Sequence, residues 1–271
     1  MTAVATAAQG QARRPSGNRL ARAVSDTLAI TGRNLLTIVR LPQLLVFSTI
    51  QPVIFVLLFR YAFGGAIDTG PVRYVDYLMP GIFAQTVAFG AMGTGVGLAE
   101  DLQKGLVERF RSLPMARSAV LAGRIVSDLL RNVFVVALMA AVGFAVGFRV
   151  HTGMAAFLAG LALLLLFGCG MSAAFALVGL SVPNGEAAQA AAFPVLAPLV
   201  FASSAFVPVA TMPGWLQAFA EHQPLSVVVD AIRALVLGGP TATPVLQSLA
   251  WTVALVAVFG PLAVRRYRRA A

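Results

Sequence analysis

The sequence predicts an all-α polytopic membrane protein with six transmembrane helices, on three observations. Residues 41–59, 77–99, 132–148, 150–185, 187–220 and 234–264 contain no Asp, Glu, Lys or Arg. A hydrocarbon core about 30 Å thick takes roughly 20 apolar residues as helix, and a helix satisfies its backbone polar groups within its own segment. Hydrophobic residues make up 59% of the 271 and charged residues 11%, well outside the usual range of soluble domains. Finally, segments 1–40, 100–131 and 265–271 hold sixteen of the twenty Lys and Arg, leaving only Arg60, Arg73, Arg149 and Arg233 elsewhere. Basic residues gather on the cytoplasmic side of a membrane, so this asymmetry puts both termini inside the cell.

Residues 1–18, small and polar with Gly and Pro, read as a disordered cytoplasmic tail; they lack the early apolar stretch of a signal peptide. Residues 19–271 form one membrane domain. Its first element is amphipathic: at about 100° per residue Leu20, Val24, Leu28, Thr31, Leu35 and Ile38 share one side, while Arg19, Arg22, Asp26, Arg33 and Arg40 gather opposite. Such a helix lies in the headgroup plane or packs on another segment of the protein. Pro42 then turns the chain into the first span. Expected spans run over about 41–63, 78–99, 125–148, 155–181, 187–208 and 244–264. Pro194 and Pro198 should bend the fifth, since each removes a backbone donor. Pro213, with Trp215 and Phe219 one turn apart, reads as short helices dipping into the outer leaflet.

The long charged connection from Glu100 to Arg131 carries the most specific pattern. As a helix it puts Leu102, Leu106, Phe110 and Leu113 on one stripe and Asp101, Lys104, Glu108 and Arg111 on the other. Glu100 and Lys104 make an i,i+4 pair, Glu108 and Arg111 an i,i+3 pair, and Pro114 stops the helix. A short stiff helix of this kind can seat its apolar side in a partner's groove while its charges fix the register.

The run from Glu100 through Pro114 to Arg124 resembles the cytoplasmic signature of type-2 ATP-binding-cassette exporter permeases, above all the daunorubicin/doxorubicin-resistance membrane subunits. Leu78-Met79-Pro80-Gly81, Ser203-Ser204-Ala205-Phe206-Val207-Pro208, Met212-Pro213-Gly214-Trp215-Leu216 and Val229-Asp230-Ala231-Ile232-Arg233 extend the likeness over nearly the whole chain. Gln223-Pro224 departs from it, because many superfamily members have Asn-Pro there, and no family role is carried onto Gln223. The resemblance implies a bacterial cytoplasmic-membrane permease that works as a dimer of two copies, with one cytoplasmic ATPase subunit under each. It also implies that the helix from Glu100 to Leu113 is the coupling helix, with Leu102, Leu106, Glu108, Arg109, Phe110 and Leu113 as ATPase contacts. ATP and Mg would be bound by the partner ATPase, and no cofactor is expected in this chain. The residues agree independently: a phosphate-binding loop needs a Gly-Lys pair, and the only lysine, Lys104, follows Gln103.

Remaining signals are weaker. Arg124, Asp128 and Arg131, spaced i, i+4 and i+7, form a ladder of structural ion pairs near the cytoplasmic end of the third span. Phe193, Phe201 and Phe206, around the proline kinks, either line a path for a small hydrophobic substrate or face lipid. Gly90, Gly93 and Gly97 include a small-xxx-small spacing suited to helix packing or a dimer seam. His151 and His222 lie far apart with no carboxylate cluster, and Cys169 has no partner, so neither a metal site nor enzymatic activity is expected. The net charge of +10 belongs to topology, and no nucleic-acid partner is expected. The function this supports is ATP-driven efflux of a small hydrophobic or amphipathic compound. Export of a lipid-linked glycan by the same architecture, or ion-coupled secondary transport, are the alternatives.

Overall fold

The computed structural model describes residues 19–40, 42–105 and 117–270, and every regular element among them is helical. The elements are α1 (Arg19–Arg40), α2 (Pro42–Leu57) running into a π-helix (Leu58–Phe63), α3 (Tyr74–Gln103), α4 (Arg117–Ala145), α5 (Met154–Gly179), α6 (Gly185–Phe201), a 3₁₀ turn (Val209–Thr211), α7 (Gly214–His222), α8 (Pro224–Leu237) and α9 (Ala242–Ala270). Four stretches are long and apolar enough to cross a membrane: Tyr74–Gln103, Leu121–Ala145, Met154–Gly179 and Ala242–Arg269. Thr49–Phe63 and Gly185–Phe201 are shorter apolar helices.

The fifth expected span is shorter than its sequence reading, whereas the first keeps its expected bounds. The fifth ends at Phe201 and not at Pro208, because Ser203 Oγ donates to Val200 O (2.6 Å) and accepts from Ala205 N (3.1 Å), turning the chain out of the helix. Its 17 residues reach only about 25 Å at helical rise. The first span continues beyond Pro52 into the π-helix, a widened turn that the apolar pattern could not foretell.

α3 is the central helix and packs on α2, α4, α5, α6 and α8. Glycine permits its closest approach to α5. A Cβ on Gly95 would strike Phe175 O, and one on Gly179 would meet the Cα of Gly95 at 2.8 Å. α9 lies outermost against α5 and α8 and leaves Leu246 and Val253 exposed, as a lipid-facing helix must.

α1 packs on α4 through a side that shares only Thr31 with the hydrophobic stripe. Thr31 Oγ1 donates to Gly123 O (3.2 Å), Asn34 Nδ2 donates to Ser127 Oγ (3.2 Å), and the absent side chain of Gly123 makes room for buried Ile30. Val24 and Leu28 from the stripe remain exposed. The helix is thus fastened to the protein by Ile30 and a few small polar groups, while Val24 and Leu28 face outward.

At the opposite face, the loop after α6 is bound into the bundle. Tyr74 Oη donates to Phe206 O (3.0 Å) and Tyr77 Oη to Ser204 O (3.1 Å). Arg233 lies 3.7 Å over the Tyr77 ring, pairs with Asp230 (2.7 Å) and donates to Ser204 O (2.8 Å). α8, which carries these charges, is largely buried, whereas α7 exposes Trp215 and Phe219.

Candidate functional site

The charges of α4 meet α3 in a slot that glycine opens. Asp128, 2% exposed, receives Arg124 Nε on Oδ2 (3.3 Å), Arg131 Nη1 on Oδ1 (3.3 Å) and a hydrogen bond from Thr94 Oγ1 (2.7 Å). Arg124 also reaches Asp101 (3.5 Å), which faces Arg33 of α1 at 3.7 Å. Arg131 Nη2 donates to Gly90 O (2.8 Å). Gly90, Gly93 and Gly97 are what admit these side chains, since a Cβ at each would meet Asn132, Arg131 and Arg124 respectively. The faces of those glycines are filled from within the chain, which corrects the dimer-seam alternative. Spacing did contain the clue: glycines 90, 93 and 97 run antiparallel to 132, 131 and 124, as two antiparallel helices require.

This cluster joins α1, α3 and α4 through charge. An ion pair removed from water is held mainly by geometry, and losing one partner leaves a buried charge at a cost of about 3–5 kcal/mol. The cluster therefore ties α1, α3 and α4 together at one end of the bundle. It also qualifies the charge-free reading of the spans, because α4 begins well before residue 132 and carries Asp128 and Arg131 inside a membrane-length helix.

The segment expected to form a single helix from Glu100 to Leu113 is interrupted. α3 runs on to Gln103, Lys104 Nζ pairs with Glu100 Oε2 at 3.1 Å, and Gly105 turns the chain at φ 66°. Only glycine takes that conformation without strain. Leu102, partly buried, packs with Leu98, Leu121, Leu180 and Tyr267 of the same chain. Leu106, Glu108, Arg109, Phe110 and Leu113 lie outside the described residues. Beside the turn, Glu100, Gln103 and Lys104 face Asn184, Gly185 and Glu186 across a cleft of about 410 Å³. Asn184 Oδ1 accepts from Ala187 N (2.8 Å) and so caps α6 beside that cleft.

Of the three phenylalanines, the structure groups two. Phe206, 3% exposed, stacks on Phe59 with centroids 4.6 Å apart and lies 5.8 Å from Phe201. Phe55 adjoins both, at 6.1 and 6.2 Å. Phe193, 49% exposed, stands on the surface of α6 outside this group. Gln223 serves the fold, because its Oε1 accepts from Leu225 N (3.1 Å) as the cap of α8 and its Nε2 donates to Leu199 O (2.9 Å).

A bundle of membrane-length helices, stitched by buried ion pairs and closed on one face by a buried short helix, defines a polytopic integral membrane protein. The chain belongs to the ABC-2 type transporter family, whose pattern it matches over residues 25–237, as a membrane permease subunit. It is 36% identical over 255 residues to the daunorubicin resistance ABC transporter permease protein DrrB1 of Streptomyces coeruleorubidus, covering 93% of this chain and 90% of that one. It is 30% identical over 264 residues to the doxorubicin resistance ABC transporter permease protein DrrB of Mycobacterium tuberculosis, covering 89% and 91%.

Proposed function

We propose that this chain is the membrane half of an ATP-driven exporter of small hydrophobic or amphipathic compounds. The single observation that carries the reading is the family match, which spans the helical bundle and the charged segment together. Relatives named for daunorubicin and doxorubicin resistance favour a drug-like compound over a lipid-linked glycan. Six spans, with α2 and α6 as the two shorter ones and both termini in the cytoplasm, follow from the basic-residue asymmetry. The apolar stripe of α1 then rests in the inner headgroup region.

In this reading a separate ATPase binds ATP and Mg and seats residues 106–113, after the Gly105 turn, in its cleft. Two permease copies and two ATPase copies make the transporter. A push on the segment reaches the membrane through Asp101, which pairs with Arg124 and Arg33, and from Arg124 to Asp128 and Arg131. The family match favours an ATP-driven permease over an ion-coupled carrier. Phe201 and Phe206, with Phe55 and Phe59, offer an aromatic wall suited to an apolar substrate.

Co-expression of the chain and its ATPase in a drug-sensitive bacterium should lower cellular accumulation of daunorubicin, used as a fluorescent probe. Neither chain alone should do so. Equal accumulation in cells with and without the pair, across a panel of amphipathic dyes, would remove the export reading.

A further inference from the structure

Halfway along α3, between α2, α3 and α4, lies a cavity of about 220 Å³ whose lining is mixed. Gln51, Gln85, Arg131 and Asn132 supply amide and guanidinium groups, while Phe89 and Met92 supply apolar wall. Gln85 is 1% exposed, and its Oε1 finds no hydrogen-bond partner among the described residues. A leucine would fill the same volume without stranding a polar atom, so packing does not account for this amide. Ligand sites are commonly of this kind, largely apolar with a few convergent polar groups.

We propose that this cavity is a substrate subsite within each permease copy, and that it takes an uncharged ring bearing a hydroxyl group. Size sets the ring. An apolar cavity of about 150 Å³ accepts benzene, so 220 Å³ holds one substituted ring or a small fused pair. Chemistry sets the hydroxyl. Gln85 Oε1 requires a donor, whereas Arg131, with two of its N–H groups directed to Gly90 O and Asp128, has donors left over and requires an acceptor. A hydroxyl serves both. Charge excludes a cation: Arg33, Arg124 and Arg131 outnumber Asp101 and Asp128 in the adjoining cluster. Gln51, exposed on α2, marks the side from which a compound enters.

The subsite rests on the export reading for its role, but binding is measured without transport. The probe is 1-naphthol, compared with 1-methylnaphthalene, which has the same ring and no donor, on the full chain in nanodiscs with empty nanodiscs subtracted. Wild type should bind 1-naphthol saturably and about tenfold more tightly than 1-methylnaphthalene, the difference one hydrogen bond can supply. Gln85→Leu should bring the two within about threefold of each other by weakening 1-naphthol alone, and Met92→Trp, which fills the cavity, should abolish both. Should Gln85→Leu fail to purify as a folded protein, the Met92→Trp comparison decides in the same way. Absence of saturable binding, an unchanged preference in Gln85→Leu, or unimpaired binding in Met92→Trp would overturn the subsite. Saturable, Gln85-dependent binding by a protein that exports nothing would uphold the subsite and remove the export reading instead.

Discussion

Among single residues, Asp128 has the most depending on it. It accepts from two guanidinium groups and a threonine hydroxyl inside a membrane-length helix, so its removal takes the carboxylate from Arg131 and leaves Arg124 with Asp101 alone. Asp128→Leu should destabilise the permease by about 3–5 kcal/mol, read as a lowered melting temperature in detergent. The double variant Asp128→Leu with Arg131→Leu should recover part of that loss, and an Asp128→Leu melting temperature equal to wild type would show the cluster to be unimportant. The i, i+4, i+7 spacing of Arg124, Asp128 and Arg131 was legible from one helix alone. Of their surroundings on α3 only the glycine spacing was legible, because a glycine does not say which side chain fills the space beside it. Gly95 and Gly179 make the same point, as both looked ordinary until their backbones met.

At the scale of elements, apolar periodicity located the helices and misjudged some of their ends. α3, α5 and α9 follow the charge-free runs closely, since in a bilayer hydrophobic length is itself the structural signal. α6 stopped early because the Ser203 hydroxyl takes up backbone groups of Val200 and Ala205, an effect no hydropathy window contains. The turn at Gly105 is of the same local kind, and it divides the charged connection where periodicity had joined it. That division leaves the downstream stripe as the contact surface to test. Phe110→Ala removes an aromatic anchor of the sort that contributes about 2 kcal/mol or more at an interface hot spot, and Glu108→Lys reverses a charge beside it. Both variants should insert and purify normally yet lose efflux and ATPase co-purification. Lys104→Ala, which breaks only an exposed pair with Glu100, should be much milder. Full transport by Phe110→Ala and Glu108→Lys would mean that this segment does not couple ATP hydrolysis to export.

Across the whole molecule, two polar faces bound an apolar bundle. One carries Asp101, Arg124 and Arg266, whose Nε donates to Leu180 O (3.2 Å); the other carries Asp76, whose carboxylate pairs with Arg73 (2.8 Å) and accepts from Arg149 N (2.8 Å). If the first face is cytoplasmic, single cysteines at Ser112 and Thr211, in a Cys169→Ala background, should react with an impermeant maleimide from opposite sides. Labelling of both from outside would rule out the six-span arrangement. The family and the membrane were legible in the chain, because the charged run is distinctive and the apolar runs are long. The embedded cavity was not legible, since Gln51, Gln85 and Asn132 come from three helices and share no spacing. The most direct test of the central claim is to reconstitute the permease with its ATPase in proteoliposomes and compare two driving forces for daunorubicin uptake. Uptake should require ATP and both chains and be indifferent to a proton gradient; uptake driven by the gradient in vesicles holding the permease alone would contradict it.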